Sequence, residues 1–179
     1  MYVARQSLGG AAYTAWSGFP QMLDEYSPTV TFEGDNTMLA QQSFNFLSKM
    51  AKRAMIGKDA GKLDPFLSYL NELNAKGEAP FCSATRPEHF MNLEIVAEAL
   101  RVNLLHKLKG LMAKMHDSKV SKKDFVNSVA AIDIVKVAEA HIRFVSFSIW
   151  KKKVDEGGIK CKNLRKHLAN LCVLYGLWQ

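Results

Sequence analysis

The sequence predicts an all-α protein, a helical bundle, and three features support this fold class. Apolar residues recur at helical intervals along most of the 179 residues. Residues that cap helix N-termini precede several of these repeats. The one strand-like run, residues 27–32, carries a proline and is followed closely by a glycine, so we expect an extended loop there. Because 48% of the residues are apolar, the chain can bury a substantial core.

The first long helix is predicted over residues 36–56. Apolar side chains repeat there at intervals of three and four, which is typical of a helix with one buried face. Asp35 or Asn36 is the predicted N-cap, because either side chain can accept a hydrogen bond from a free N–H group of the first turn. Gly57 and Gly61 are predicted to end the helix.

A shorter helix is predicted over residues 64–76, with Gly77 at its end and residues 77–84 as a connection. Residues 85–88 read TRPE, a capping box with proline in the first turn, and they predict the start of a second long helix. We expect this helix to continue through the leucine repeat that ends at Met115.

A third long helix is predicted to start at a second capping box, SKKD at residues 121–124, and to run to about Glu156. Gly157 and Gly158 are predicted to break it, and a last helix is expected from about Lys160 to the end of the sequence. Two of these helices are long but lack a sustained heptad repeat with charged flanks. That combination favours a bundle over a free coiled coil.

Charge is distributed unevenly along the chain, which has a net charge of +7. Residues 1–50 contain two basic and four acidic side chains, so the positive excess lies in the remainder. Such an excess suits solvated, lysine-rich helix faces, and it leaves open a basic module that binds nucleic acid. No aromatic residues alternate with the lysines of residues 151–166, which weakens the nucleic-acid hypothesis.

Several classes of protein and site are not indicated. There is no run of 18 apolar residues, so we predict no membrane-spanning helix. Cys82, Cys161 and Cys172 are widely spaced, which predicts neither a disulfide framework nor a zinc site. The five histidines form no pair four residues apart around an acid, so we predict no metal site on a helix.

Glu33 is the candidate catalytic residue, because it stands between Phe32 and Gly34 just before a predicted helix. An acid in this position can simply interact with the helix dipole, a contribution of about 0.3–1 kcal/mol. A neighbouring aromatic ring can also dry the surroundings of a carboxylate, which makes it a better proton acceptor near neutral pH. Gly34 would let a flat ligand approach the backbone, and the glycine pair at residues 9–10 would do the same.

Several short motifs carry a resemblance to a known family. They are RQSLGG at residues 5–10, Tyr13, SGFP at residues 17–20, the Pro-Thr pair at residues 28–29 and TFEGDNT at residues 31–37. Their order resembles that of the acyl-CoA oxidases. The related dehydrogenases carry a Glu-Arg and Arg-Asp block that is missing between Tyr13 and Glu33, so the oxidase branch fits better. The leucine-rich and lysine-rich helices after residue 85 resemble the additional C-terminal helical domain of the oxidases.

The resemblance implies a domain organisation and an activity. Residues 1–76 would be the end of the central oxidase helical domain, residues 77–84 a connection, and residues 85–179 the start of the C-terminal helical domain. The implied reaction is the FAD-dependent oxidation of fatty acyl-CoA to trans-2-enoyl-CoA by O2, which yields H2O2 and is the first step of peroxisomal fatty acid β-oxidation. The implied partner is a second identical chain or a complementing oxidase chain, and a peroxisomal location is implied although the sequence does not end in Ser-Lys-Leu.

The resemblance also implies roles for single residues. Glu33 corresponds to the base that removes the α-proton of the substrate, and Gly34 would lie beside the thioester. Gly9, Gly10 and Thr37 correspond to positions that contact FAD. No metal ligand is implied.

Two departures from the family affect these expectations. The family follows its glycine pair with His-Gly, whereas Ala11 and Ala12 stand here; alanine tolerates positive φ poorly, so the flavin contact is expected to differ. The resemblance also covers only a C-terminal part of the family's length. We therefore expect the chain to be inactive by itself, and a non-catalytic helical scaffold derived from an oxidase remains the alternative function.

Overall fold

A computed structural model describes residues 2–56, 63–74, 80–156 and 158–178, and within these ranges the chain is helical and forms no β-strand. The α-helices are α1 (Tyr2–Ser7), α2 (Phe19–Tyr26), α3 (Asn36–Ile56), α4 (Leu93–Asp117), α5 (Lys122–Asp124), α6 (Ala131–Asp155) and α7 (Lys162–Trp178). Short 3-10 helices cover Gly9–Tyr13, Ala15–Ser17, Ser27–Val30, Pro65–Asn74 and Pro87–Met91, and a π-helical turn covers Phe125–Val129. The predicted all-α class is confirmed.

The chain divides into two compact units, Met1–Leu39 and Ala40–Gln179, and the division falls inside α3. The connection predicted at residues 77–84 stays a prediction, as do the domains on either side of it, because residues 75–79 lie outside the described ranges.

In the first unit, short helical segments follow one another and most side chains are exposed. The extended loop predicted at residues 27–32 is wrong, because Ser27–Val30 forms a 3-10 helix and a turn continues to Glu33. Proline in the first turn suits a helical start, since its φ is already close to the helical value. The Phe32 N–H also donates to the carbonyl of Pro28, at 3.0 Å, so the turn that follows the 3-10 helix keeps its hydrogen bonding.

Helix α3 has the predicted bounds, Asn36–Ile56. Its buried residues lie at intervals of one, three and four along one face, and they are Phe44, Leu47, Ser48, Ala51 and Ala54. This is the pattern of a helix that packs one stripe against a core. Gly57 and Gly61, the predicted helix end, lie outside the described residues.

The shorter helix predicted over residues 64–76 is a 3-10 helix, Pro65–Asn74. Asp64 caps it, because its Oδ1 accepts a hydrogen bond from the Phe66 N–H at 2.9 Å. Three apolar residues of this helix are buried: Leu67, Tyr69 and Leu70. Gly77, the predicted end of the helix, lies outside the described residues.

The start predicted for the second long helix is wrong. Residues 85–88 lead into the 3-10 helix Pro87–Met91, and α4 begins only at Leu93. Asn92 is the actual N-cap, with φ −94° and ψ 125°, and its side chain accepts from the Glu94 N–H at 2.9 Å. Because the backbone of Asn92 is extended, a single helix cannot pass through it.

The N-cap predicted at Ser121 is confirmed, because Ser121 Oγ accepts a hydrogen bond from the Asp124 N–H at 3.1 Å. The helix that follows is interrupted, which the apolar repeat did not predict. A π-helical turn ends at Ala130, whose N–H donates to the carbonyl of Phe125 at 2.9 Å. Phe125 and Ala130 are both buried, so the wider turn keeps both side chains in the core.

Helix α7 begins at Lys162, two residues after the predicted start, and Gly157 lies outside the described residues. Arg165 on α7 donates to the carbonyls of Val154 and Asp155 at 2.9 and 3.1 Å. These carbonyls belong to the last turn of α6, where helix carbonyls lack partners within the helix. Arg165 therefore stabilises the junction of α6 and α7.

Two apolar clusters form the core of the second unit. The larger cluster joins α3, the 3-10 helix Pro65–Asn74, α4, the π-helical turn and α6. The smaller cluster consists of Val96 on α4, Phe147 on α6 and Cys172 on α7. Burial raises the pKa of the Cys172 thiol to about 11, so this cysteine packs as a neutral apolar group.

A polar pair joins Tyr69, a buried residue of the larger cluster, to the half-buried His141 on α6. The Tyr69 hydroxyl is 2.9 Å from His141 Nδ1, and the Tyr69 ring meets that of Phe144 edge to face at 5.3 Å. Burial raises the pKa of Tyr69 and lowers the pKa of His141. Both side chains are therefore neutral in the folded chain near pH 7, and a neutral hydroxyl–imidazole hydrogen bond joins them.

Gly176→Ala should destabilise the protein by about 1–3 kcal/mol, the usual effect of overpacking. A Cβ atom there would collide with Val96 Cγ1 and lie 2.8 Å from Phe147 Cε2. The matched control is Gly110→Ala on α4, where a Cβ meets no atom within 4 Å and should stabilise the helix by about 0.5–1 kcal/mol. Urea unfolding followed by circular dichroism measures both, and equal stability of the two variants would contradict the close packing of α7.

His141→Gln should flatten the dependence of stability on pH. Because the folded chain binds a proton on His141 more weakly than the unfolded chain does, the free energy of unfolding falls as the pH drops below about 6.5. Glutamine still accepts a hydrogen bond from Tyr69 but does not titrate. Urea unfolding at several pH values should show a smaller loss below pH 6.5 in this variant than in the exposed control His116→Gln; equal losses would argue against the prediction.

Candidate active site

Glu33 lies in a tight turn that joins the 3-10 helix Ser27–Val30 to α3. The Thr31 N–H donates to the carbonyl of Pro28 at 3.2 Å, and the Gly34 N–H donates to the carbonyl of Thr31 at 3.0 Å. These backbone hydrogen bonds stabilise the turn that contains Glu33, and neither of them uses the Glu33 side chain. The carbonyls of Pro28 and Thr31 were not predicted to shape the site, although the Pro-Thr pair is a recognisable turn signal.

Asp35, and not Glu33, caps α3. Asp35 Oδ1 accepts hydrogen bonds from the N–H groups of Thr37 at 2.8 Å and Met38 at 3.3 Å. The predicted cap at Asp35 is thus confirmed. Among the residues that the structure describes, Glu33 has no hydrogen bond or ion pair, so its carboxylate remains available to another group.

Gly34 is required by the backbone and not by the space around it. Its φ of +121° lies in the region that favours glycine, and a Cβ added there would meet no atom within 4 Å. The backbone beside Glu33 is therefore open to a ligand on this side.

The glycine pair gives a similar open backbone. Gly9 has a φ of +58° and begins the 3-10 helix Gly9–Tyr13, whereas Gly10 has an ordinary φ. A Cβ added to either glycine would meet no atom within 4 Å. Both positions fit the close approach of a flat group, although Gly9, like Gly34, also needs a left-handed backbone.

Ala11 and Ala12 are accommodated without strain. In the described part of the chain, the residues with positive φ are glycines, so neither alanine adopts the conformation that alanine disfavours. Ala12 is fully buried. Alanine is therefore compatible with the local backbone where the family has His-Gly. The consequence of the difference is that this chain lacks the imidazole donor.

Thr37 lies in the first turn of α3 with an exposed side chain. Its N–H is already bound by Asp35, so the hydroxyl group is the part that can contact a ligand. Thr37, Glu33, Gly34 and the glycine pair at residues 9–10 all belong to the compact unit Met1–Leu39.

The surroundings of Glu33 are exposed. Phe32, which was expected to dry the carboxylate, is itself 66% exposed, and elsewhere in the unit Met1–Leu39 Trp16 is 98% exposed. Tyr13 is also largely exposed, although the Arg5 guanidinium stacks on its ring at 4.3 Å. The aromatic side chains of this unit thus form an open surface around which further protein or ligand can pack.

The described ranges contain neither a cluster of metal-binding side chains nor a membrane-spanning helix. No group of three metal-binding side chains lies close together there. No described helix combines the length and apolar character that crossing a bilayer requires.

Comparisons with known proteins cover both units. Two protein-family models match the sequence. The family model of the acyl-CoA oxidase C-alpha1 domain matches residues 1–48, and the family model of acyl-CoA oxidase matches residues 92–179. A peroxisomal acyl-coenzyme A oxidase 1 from Rattus norvegicus is 31% identical over 178 residues. That alignment covers 97% of this chain and 26% of the rat protein, so the chain spans about a quarter of the curated relatives that it matches.

Solved structures agree with the sequence comparison. Arabidopsis thaliana acyl-CoA oxidase 1 superposes with a TM-score of 0.77 and 26% identity, and the match covers 97% of this chain and 26% of the Arabidopsis chain. An acyl-CoA oxidase from tomato, Lycopersicon esculentum, superposes with a TM-score of 0.79 and 25% identity over the same shares.

Asp35→Ala should weaken the start of α3 by about 0.5–2 kcal/mol, because two N–H groups of the first turn lose their acceptor. Glu33→Ala is the matched control and should leave the helix unchanged, since Glu33 makes no described contact. Amide hydrogen exchange at residues 37–40 measures the local opening. Faster exchange in the Glu33 variant than in the Asp35 variant would mean that Glu33, and not Asp35, caps α3.

Proposed function

Because this chain belongs to the acyl-CoA oxidase family, we propose that it forms the part of an FAD-dependent acyl-CoA oxidase that carries the catalytic base, Glu33. The observation that carries this proposal is the turn of residues 31–35. It keeps the Glu33 carboxylate unpaired while Asp35 satisfies the helix N-terminus, and it lies inside the C-alpha1 match.

In the proposed reaction, Glu33 accepts the α-proton of a fatty acyl-CoA thioester. Such a proton is weakly acidic, so the carboxylate must reach it directly and must not be engaged in another hydrogen bond. The chemistry that bound FAD would supply is acceptance of the β-hydrogen as a hydride and transfer of the two electrons, with two protons, to O2 as H2O2. Loss of the α-proton to Glu33 and of the β-hydrogen as a hydride leaves a double bond between these carbons, which gives trans-2-enoyl-CoA.

The open backbone next to the base would position the reactants. Gly34 has no side chain to keep the thioester away from Glu33. Gly9, Gly10 and the hydroxyl of Thr37 would contact FAD, because the two glycines leave the backbone accessible and Thr37 lies in the first turn of α3 with an exposed side chain. The missing imidazole after the glycine pair removes one donor from this set.

The proposed base needs other protein segments to become effective. A carboxylate in water is a weak base, and the side chains near Glu33 are too exposed to exclude water. The relatives are several times longer than this chain, which matches 26% of their length. We therefore propose that the chain acts with a complementing oxidase chain or in a homodimer of a longer form, and that it does not oxidise acyl-CoA by itself.

The proposed place of this reaction is the peroxisome. The curated relatives are named peroxisomal acyl-coenzyme A oxidases. The step would open fatty acid β-oxidation, since it converts a saturated thioester into the enoyl thioester that hydration requires.

A chimera tests the proposal. In the Rattus norvegicus enzyme, the aligned quarter is replaced by this chain, and H2O2 formation from a saturated acyl-CoA is measured together with the visible absorbance of bound flavin. Glu33→Gln should lower the turnover number by about 10²–10⁴-fold, the usual contribution of a general base, while the flavin absorbance is kept.

Two comparisons make the result interpretable. Glu25→Gln is the matched control, because it removes an exposed carboxylate of the same unit and should leave turnover unchanged. The role of Glu33 would be refuted if the chimera with the Glu33→Gln substitution bound flavin and produced H2O2 as well as the unsubstituted chimera. A correctly folded chimera that binds no flavin would favour the non-catalytic scaffold.

A further inference from the structure

A cavity of about 580 Å³ opens in the unit Ala40–Gln179, in a part of the fold to which the proposed oxidase chemistry assigns no role. Four parts of the fold line it: the end of α3, Leu73 of the 3-10 helix Pro65–Asn74, the second half of α4, and the segment that runs from Val120 through α5 into the π-helical turn. The volume is within the range of small-molecule sites, which is about 300–1,000 Å³.

The interior of the cavity is apolar. Met55 from α3, Met112 from α4 and Phe125 from the π-helical turn contribute to its wall. Phe125 belongs to the larger core cluster and Met112 packs against it, so the cavity extends from the surface to the core. Methionine side chains are flexible and polarisable, and they adapt to aliphatic chains of different shape.

The rim of the cavity is cationic. Lys52, Lys109 and Lys122 come from three different elements and are exposed. In the described part of the chain none of the three has an ion pair, whereas Lys114 on α4 and Lys151 on α6 are paired with acids. The acid among the lining residues, Asp117, already contacts His116 at 3.4 Å.

We infer that this cavity binds an aliphatic carboxylate, a free fatty acid, with the hydrocarbon chain among the methionines and the carboxylate between Lys52 and Lys109. An apolar interior excludes a fully polar anion such as free phosphate, because burying it there would cost its hydration. A cationic rim without counterions favours a negative head group over a neutral or positive one. The combination selects a molecule that is apolar at one end and anionic at the other.

The inference does not depend on the proposed function, because it concerns other residues and requires neither FAD nor Glu33. Lysine side chains often lie with their methylenes along apolar surface and their ammonium group in water, which would explain the rim without a ligand. The three unpaired ammonium groups around one apolar opening distinguish the ligand site from that simpler arrangement, and the difference can be measured.

Isothermal titration calorimetry of the full chain with sodium dodecanoate, below its micellar concentration, tests the site. Binding should be saturable, and decanoate, which is two methylenes shorter, should bind about fifteen-fold more weakly, since each buried methylene contributes about four-fold. Dodecanol and dodecyltrimethylammonium have the same chain and should bind more weakly than dodecanoate. With 13C-labelled methionine methyl groups, dodecanoate should shift the signals of Met55 and Met112 and leave those of Met38 and Met91 unchanged.

Charge reversal locates the head group. The double variant Lys52→Glu and Lys109→Glu should weaken dodecanoate binding by about ten-fold or more, while the matched control Lys166→Glu, exposed on α7, should not. Unchanged thermal unfolding shows that the variants are folded. The inference is overturned if dodecanol binds as tightly as dodecanoate, or if the double variant binds dodecanoate as tightly as the native chain does. It is also overturned if the unliganded chain forms a dimer that the double variant abolishes.

Discussion

The packing of α4 against α6 is the contact on which the unit Ala40–Gln179 depends. Leucines on one face of α4 meet branched and small residues on α6, and the larger core cluster contains Leu104, Leu108, Leu111, Ile134, Val137 and Ala140. Helix α7 then packs against both partners, because Val96 on α4 and Phe147 on α6 together form the surface that Gly176 approaches. A shift of either long helix along its axis would separate Val96 from Phe147 and remove the place where α7 packs.

The sequence predicted best those features that a few neighbouring residues determine. The bounds of α3 follow from a strong N-cap and a regular apolar stripe, and the cap at Ser121 follows from one hydroxyl and one N–H group. The start of α4 was mispredicted because two capping signals, at residues 85–88 and at Asn92, stand close together in the sequence. The choice between them depends on the extended backbone of Asn92 in the folded chain. The π-helical turn was missed for a similar reason, since it adjusts the register of buried side chains after Phe125 to a core that the local pattern does not show.

In the candidate site, too, local features could be predicted from the sequence, whereas features that depend on packing could not. The capping role of Asp35 and the open backbone at Gly34 could be predicted because both depend on local backbone geometry, whereas the role of Glu33 as the base stays a prediction. The sequence did not foresee the exposure of Phe32, which depends on what packs over the turn rather than on the turn itself. The fatty-acid cavity gave no signal at all, since its lysines and methionines are distributed over three elements and become neighbours only in the folded chain.

The two acids at the N-terminus of α3, Glu33 and Asp35, explain how one carboxylate can lie next to a helix N-terminus without capping it. A helix N-terminus attracts an anion, and a single acid at this point would have been drawn into capping, which lowers its affinity for a proton. Asp35 takes that position with the shorter side chain, and the positive φ of Gly34 turns the backbone between the two acids. Glu33 is thereby separated from the N–H groups that would otherwise bind it. The turn fixes the backbone that carries Glu33, and the strength of the carboxylate as a base depends on the segments that remove water from around it. In the proposed oxidase, positioning is therefore a property of residues 31–37, and desolvation is a property of the segments that pack over them.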